Sequence, residues 1–318
     1  DGYPFATTLL GKGVMRENHD QFVGVYNGHM GKETAKETVE GAEVLLNLGA
    51  LMTDMNLGIW SASLDKKRMV VANSDRVRIK HHHYDHVSLK SFLEELASRI
   101  SRVKSNEKVN LFADTLVSET EKDSPGKNLT VQYFYDRIND FINDENVLIA
   151  DTGDSILNAS NLLLPEGADY IGQAFYLSIG YSVPAALGAG LSRSDKRPVV
   201  FVGDGAFQMT AQGLSTILRR GLNPIFFLMN NSGYTIERVF HDGKYNDIHG
   251  WEYHRIPKVF GGKAGMRVKT RGDLEKALDH AATAKDELVF IEVVLEKKDW
   301  SNNLEKLERI VKNNQHSG

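Results

Sequence analysis

Three short stretches of this 318-residue chain combine glycine with small oxygen-bearing side chains. They are Asp151-Thr152-Gly153-Asp154-Ser155, Gly203-Asp204-Gly205-Ala206-Phe207 and Asn230-Asn231-Ser232-Gly233-Tyr234. Glycine lets a backbone come close to a phosphate, and the N–H groups that open a helix attract an anion. An aspartate in such a place repels the anion unless a cation stands between them. Asp204 and Asn231 offer hard oxygen donors. With a backbone carbonyl and two phosphate oxygens they nearly complete the octahedral shell that Mg²⁺ prefers. The chemistry inferred is the binding of a metal-bridged diphosphate. Taken singly, each stretch reads more readily as a tight turn with an Asx cap. Together, in this order and on adjacent strands, they are far more specific.

The elements around them supply that order. Apolar runs of strand length at 146–150, 198–202 and 224–229 lead into the three stretches, and a fourth run spans 288–295. Helical patterns at 133–142, 180–191, 208–220 and 273–285 alternate with them. Continuous apolar strands separated by helices predict a parallel sheet covered on both faces and joined by right-handed crossovers. Such sheets bind ligands at the carboxyl ends of their strands, where all three stretches lie.

Residues 1–103 also alternate, with strands expected at 22–26, 44–49 (buried), 68–72 and 76–80 and helices at 34–41 and 89–103. Residues 104–127 are polar and carry linker composition. The expected fold class is α/β: two three-layer α/β/α domains with mainly parallel sheets, at 1–103 and 128–318, joined by the linker 104–127.

Composition removes several functions. With 38 basic against 42 acidic residues, a net charge of −4, the chain has no basic field for nucleic acid or an anionic membrane surface. It has no cysteine, hence no disulfide framework, thiolate nucleophile or Cys-based metal site. No apolar run approaches the roughly 20 residues that span a bilayer. A cytoplasmic location, with neither nucleic acid nor membrane as partner, is the expectation.

Gly203-Asp204-Gly205 and, after residues 206–229, Asn230-Asn231 resemble the diphosphate signature of thiamine diphosphate enzymes. The continuation Ser232-Gly233-Tyr234-Thr235-Ile236-Glu237 is similar to a stretch of the 2-oxo acid decarboxylases of the pyruvate and indolepyruvate decarboxylase type. Residues 3–13, Tyr-Pro-Phe-Ala-Thr-Thr-Leu-Leu-Gly-Lys-Gly, resemble the middle domain of that family. The resemblance implies a thiamine diphosphate-binding fold at 128–318 and a partial Rossmann-like middle domain at 1–103. It implies Mg²⁺ held by Asp204, Asn231 and the carbonyl of Gly233. Thiamine diphosphate would contact Thr152, Asp154, Gly203, Gly205, Ala206, Tyr234, Thr235 and Ile236. It would also meet Leu177, Ser178 and Ile179, the Leu177 carbonyl accepting from the 4′-amino group and Ile179 bending the cofactor.

Glu237 is then the catalytic carboxylate, in a closed, poorly hydrated site that raises its pKa and lets it relay a proton. On helix position alone, Glu237 is equally a stabilising first-turn charge, worth about 0.3–1 kcal/mol.

The implied activity is non-oxidative decarboxylation of a small 2-oxo acid to an aldehyde and CO2, in a homodimer or homotetramer. Alternatives are a carboligase of the acetolactate synthase type and a non-catalytic Mg-diphosphate binding module. The family places a pyrimidine-binding domain before the other two, and none of residues 1–103 resembles it. An N-terminally shortened form holding half a site, inactive alone, is therefore expected. Two other features are read as structural. Neighbouring histidines in 81–86 point to opposite faces of a strand and cannot converge on one ion. The charged run 305–312 reads as a solvated helix face. Gly213 is expected inside a helix, where it costs about 1 kcal/mol relative to Ala.

Overall fold

The computed structural model of the protein describes residues 2–100 and 124–315. The chain divides into two compact units, residues 1–111 and 112–318. Residues 101–103 of the expected helix and 104–123 of the expected linker lie outside the described residues.

In the first unit β1 (Phe5–Thr7) and β2 (Phe22–Val25) pair in parallel. They are followed by α1 (Glu33–Glu40), β3 (Leu45–Leu48), β4 (Met69–Ala72), β5 (Arg76–Ile79), β6 (His82–Asp85) and α2 (Leu89–Arg99). β3 and β4 are parallel, whereas β4, β5 and β6 form an antiparallel meander, so the sheet is mixed. β3 is not the buried strand its apolar run suggests. It ends the sheet with β4 as its neighbour, and Leu46 and Leu48 are exposed. β6 is the opposite edge and is exposed along its length, which leaves His82 and His83 as edge residues. No group of three His, Asp or Glu that could hold a metal occurs among the described residues.

The second unit runs α3 (Val131–Phe141), β7 (Asn146–Ala150), α4 (Asp154–Ala159), β8 (Asp169–Gly172), α5 (Ser182–Ser192), β9 (Arg197–Gly203), α6 (Asp204–Thr210), α7 (Gly213–Arg219), β10 (Ile225–Asn230), α8 (Thr235–Phe240), α9 (Ile256–Val259), β11 (Met266–Val268), α10 (Arg271–Thr283), β12 (Val289–Val294) and α11 (Asn302–Gln315). The six strands lie in the order β11-β12-β10-β9-β7-β8, every neighbouring pair parallel. Strand alternation sends side chains to two cores. On one face Phe201 and Phe227 stack at 5.8 Å beneath Phe134 of α3. On the other, Val200, Val202, Phe226 and Leu228 join Val183, Phe207 and Leu214 of α5, α6 and α7. Burying each such side chain contributes about 1.5–3 kcal/mol, which is why the central strands are apolar without interruption. Local caps set the helix starts: Thr130 accepts from the Tyr133 N–H, and Thr270 with Asp273 forms a capping box.

Two sequence expectations change here. The helix expected at 208–220 is two helices, α6 and α7, broken at Ala211 and Gln212. Gly213 therefore opens α7, and a Cβ there would lie 2.9 Å from Val183 Cγ1, so it lets α5 and α7 approach closely. The charged run 305–312 belongs to α11, which is docked through the buried Leu304 and Leu307 against α4 and α8.

Candidate active site

The three glycine-bearing loops meet at the carboxyl edge of the six-stranded sheet, after β7, β9 and β10. After β7 the chain turns through Gly153, at φ +104°, into α4. Asp151, fully buried, is the anchor of this edge. Its Oδ1 accepts the Gly180 N–H at 3.0 Å and its Oδ2 the Ser182 N–H at 2.9 Å, fixing the start of α5. Burial pushes its carboxyl pKa up, and the hydrogen bonds from Ser182 and Gly180 pull it partly back. Asp151→Asn leaves one acceptor oxygen for two donors. It is expected to lower stability by about 1–3 kcal/mol, read from urea unfolding.

Asp154 opens α4, and both its oxygens are engaged by Ser301: Oδ2 accepts the Ser301 N–H at 2.9 Å and Oδ1 the hydroxyl. Burial first of all raises its pKa to about 6 against those bonds. The expected diphosphate ligand is thus tied, in this structure, to the residue that precedes α11. The Thr152 hydroxyl donates to the Gln173 carbonyl at 3.3 Å.

Asp204 begins α6 directly from β9, with Gly203 as its N-cap. Its side chain is buried, its Oδ1 accepting the Gly205 N–H at 2.7 Å and its Oδ2 the Gly233 N–H at 3.2 Å. Burial lifts its pKa to about 6, opposed by the backbone N–H groups of Gly205, Ser232, Gly233 and Asn231. The loops after β9 and β10 are therefore locked to each other through this one carboxylate. Gly205 packs beneath the Tyr234 ring, 2.5 Å from where its Cβ would stand. Gly233 has φ +144°, and a Cβ there would fall 2.0 Å from the Asn246 carbonyl oxygen. The Tyr234 N–H donates to that same carbonyl at 2.9 Å.

The loop before α5 carries the other expected cofactor residues. Leu177 has φ +55°, a conformation that costs a non-glycine residue about 1–3 kcal/mol. The Gln173 side chain holds it: its Oε1 accepts the Leu177 N–H at 2.8 Å and the Phe175 N–H at 3.2 Å, and its Nε2 donates to Ser178 Oγ at 3.2 Å. Ile179 is 38 % exposed, beside exposed Phe175, Tyr176 and Tyr181.

Glu237 lies in the first turn of α8 and is exposed, with no described element covering it. Asp151, Gln173 and Ser301 are the contributors that sequence reasoning did not single out for a role. Their partners lie two to 147 positions away along the chain.

The residues present fit a small hard cation facing an anion. Asp204, Asn231 and the Gly233 carbonyl are an all-oxygen donor set. The Thr235 hydroxyl, at the start of α8, is buried without a partner among the described residues. Polar groups so buried ordinarily have one.

Comparison with known proteins agrees with this chemistry. Residues 2–100 match the family described as thiamine pyrophosphate enzyme, central domain, and residues 151–293 match thiamine pyrophosphate enzyme, C-terminal TPP binding domain. An alpha-keto-acid decarboxylase of Mycobacterium leprae is 36 % identical over 314 residues, covering 97 % of this chain and 55 % of the relative. The alpha-keto-acid decarboxylase of Mycobacterium avium is 34 % identical over 315 residues, with the same shares covered. Pyruvate decarboxylase 4 of Arabidopsis thaliana is 36 % identical over 311 residues, 95 % of this chain and 51 % of the relative. The chain thus spans about half the length of the curated relatives it matches. No helix among the described residues is long and apolar enough to cross a membrane. With both family domains matched in order and the glycine-bearing loops assembled on one sheet edge, the chain belongs to the thiamine pyrophosphate enzyme family, whose cofactors are thiamine diphosphate and Mg²⁺.

Proposed function

We propose that this chain serves the non-oxidative decarboxylation of a small 2-oxo acid to an aldehyde and CO2. The observation that carries the reading is the buried Asp204 carboxylate, with Asn231 and Gly233 beside it on the facing loop. The relatives, alpha-keto-acid and pyruvate decarboxylases by name, support the decarboxylase branch. Asp204, Asn231 and the Gly233 carbonyl would hold Mg²⁺. Thr152, Asp154, Gly203, Gly205, Ala206, Tyr234, Thr235 and Ile236 would line the diphosphate. Leu177, Ser178 and Ile179 would orient the ring end. When bound, the cofactor supplies the electron sink for carboxylate loss. Glu237 is the chain's own proton-handling group in this reading. Because it is exposed, a second protein surface must cover it before it can work in a dry pocket, and a homodimer or homotetramer supplies one.

The exposure of Glu237 also favours a second reading, a non-catalytic Mg-diphosphate module. Calorimetry separates the two. On the leading reading thiamine diphosphate binds the chain in the presence of Mg²⁺ at least about 10-fold more tightly than inorganic pyrophosphate, a difference of about 1.4 kcal/mol. Equal affinities would mean that the ring end is not recognised, leaving only the module. CO2 release from pyruvate, phenylpyruvate and indolepyruvate, measured on the same samples, reports whether Glu237 works uncovered.

A further inference from the structure

Arg238 follows Glu237 on α8, but its side chain turns inward and is only 2 % exposed. Its Nη2 donates to three acceptors: the Ser232 carbonyl at 3.3 Å, the Asn246 carbonyl at 3.1 Å and Asp247 Oδ1 at 2.5 Å. Its Nη1 donates to Asp242 Oδ1 at 3.1 Å. Two of these contacts are to the main chain, and both touch the metal loop. The Ser232 carbonyl belongs to the peptide whose N–H, on Gly233, donates to Asp204. The Asn246 carbonyl is the one that receives the Tyr234 N–H. Nη2 itself stands 2.7 Å from where a Gly233 Cβ would be. The guanidinium therefore braces the peptides before and after Gly233, and the glycine is needed to admit it.

The charges around it are arranged to keep it there. Asp247 is also paired with Lys297 at 2.5 Å and Asp242 with Lys298 at 3.0 Å. Both lysines come from the segment after β12. Two carboxylates face three cations, and of the three only Arg238 is buried and reaches the main chain of the loop. Its Nε is buried without a partner, an unfavourable feature that the other four contacts must outweigh.

We propose that Arg238 is a positioning residue for the metal loop. Its planar fork sets the Ser232–Gly233 peptide, and with it the Gly233 carbonyl, in the orientation that Mg²⁺ and the diphosphate require. A lysine carries the same charge but presents one nitrogen, which cannot reach acceptors in two directions. The proposal rests on the cofactor reading above.

The test is Arg238→Lys in the whole chain, with two measurements. Without ligands, hydrogen exchange of peptides covering 231–236 and 242–247 is expected to quicken, while the strands β7, β9 and β12 stay protected. With thiamine diphosphate present, the Mg²⁺ concentration at half-saturation is expected to rise about 10–100-fold, the usual effect of losing a group that orients a metal ligand. The unfolding midpoint of the metal-free chain measures the structural cost separately, and a rise in the Mg²⁺ requirement under conditions where the variant is fully folded is the readout that a merely structural role would not give. Unchanged exchange and unchanged Mg²⁺ dependence would overturn the proposal. Wild-type chain that takes up no cofactor at any Mg²⁺ concentration would overturn the cofactor reading instead, with the exchange contrast still deciding the bracing role. If Arg238→Lys does not unfold cooperatively, Asp247→Ala removes one anchor of the same fork and is held to the same two outcomes.

Discussion

Replacing Asp204 with asparagine is expected to weaken Mg²⁺-dependent binding of thiamine diphosphate by more than about 100-fold, and to remove the pH dependence that this buried carboxylate gives to the stability of the metal-free chain. The loss follows from the donor set. On the proposed reading Asp204 is the one charged ligand among Asp204, Asn231 and the Gly233 carbonyl, and an amide oxygen returns none of its charge. Groups that only orient a metal ligand already cost 10–100-fold, so removing a ligand's charge should exceed that range.

The pH dependence follows from burial. Without a cation the carboxylate is held at a pKa of about 6 against an ordinary 3.8. A pKa raised by folding means that the folded state prefers the protonated acid. Its stabilising share is complete below about pH 4 and is lost as pH rises through 6. At one pKa unit per 1.36 kcal/mol, the metal-free wild type gives up about 1–3 kcal/mol between pH 4 and pH 7 through this group, whereas the variant, with one acceptor oxygen for the Gly205 and Gly233 N–H groups, pays a cost that does not vary with pH. Urea unfolding at pH 4 and pH 7.5, with and without Mg²⁺, checks both halves. The stability difference should move by about 1–3 kcal/mol in the variant's favour between pH 4 and pH 7.5. Mg²⁺ with thiamine diphosphate should reverse that shift by stabilising only the wild type. A variant that binds Mg²⁺ and cofactor as well as wild type would remove Asp204 from the metal site.

Gly233→Ala is expected to be the most damaging single-atom addition in the second unit. At φ +144° glycine is nearly the only residue without strain, of about 1–3 kcal/mol, and the new methyl would stand 2.0 Å from the Asn246 oxygen. That oxygen cannot retreat cheaply, because Tyr234 and Arg238 both donate to it. The loop must give way, and with it the Gly233 N–H that reaches Asp204. Destabilisation of about 2–4 kcal/mol, with loss of measurable Mg²⁺-dependent binding, is the expected outcome. Circular dichroism with denaturant titration measures the first part and calorimetry the second. A fully stable, binding-competent alanine variant would mean that the loop does not hold this conformation.

What could be read from the residues alone was whatever is written locally. The apolar runs gave β7, β9, β10 and β12, because a strand buried on both faces has nowhere to put a polar side chain. The glycine and Asx clusters that follow gave the loops. Short strands escaped: β8 is half-buried throughout and β11 has three residues, too little for a pattern. The break between α6 and α7 escaped because the periodicity carries through Ala211 and Gln212. The tertiary ties of Asp151 and Ser301 were illegible for a different reason. Each acts on a residue 29 to 147 positions away, and no local spacing encodes such a pair. The closed site expected around Glu237 depends on a cover that its own helix does not carry.

The bond between Asp154 and Ser301 bears on the order in which the protein is made. Asp154 emerges early in the second unit, but its partner is synthesised 147 residues later. At about 5–20 residues per second, the first glycine-bearing loop waits on the order of ten seconds for the group that fixes its leading carboxylate. The sheet imposes a similar delay, since β12, which pairs with β10 and β11, is among the last strands made. The loop around Asp154 therefore reaches its final anchoring only after Ser301 has been made.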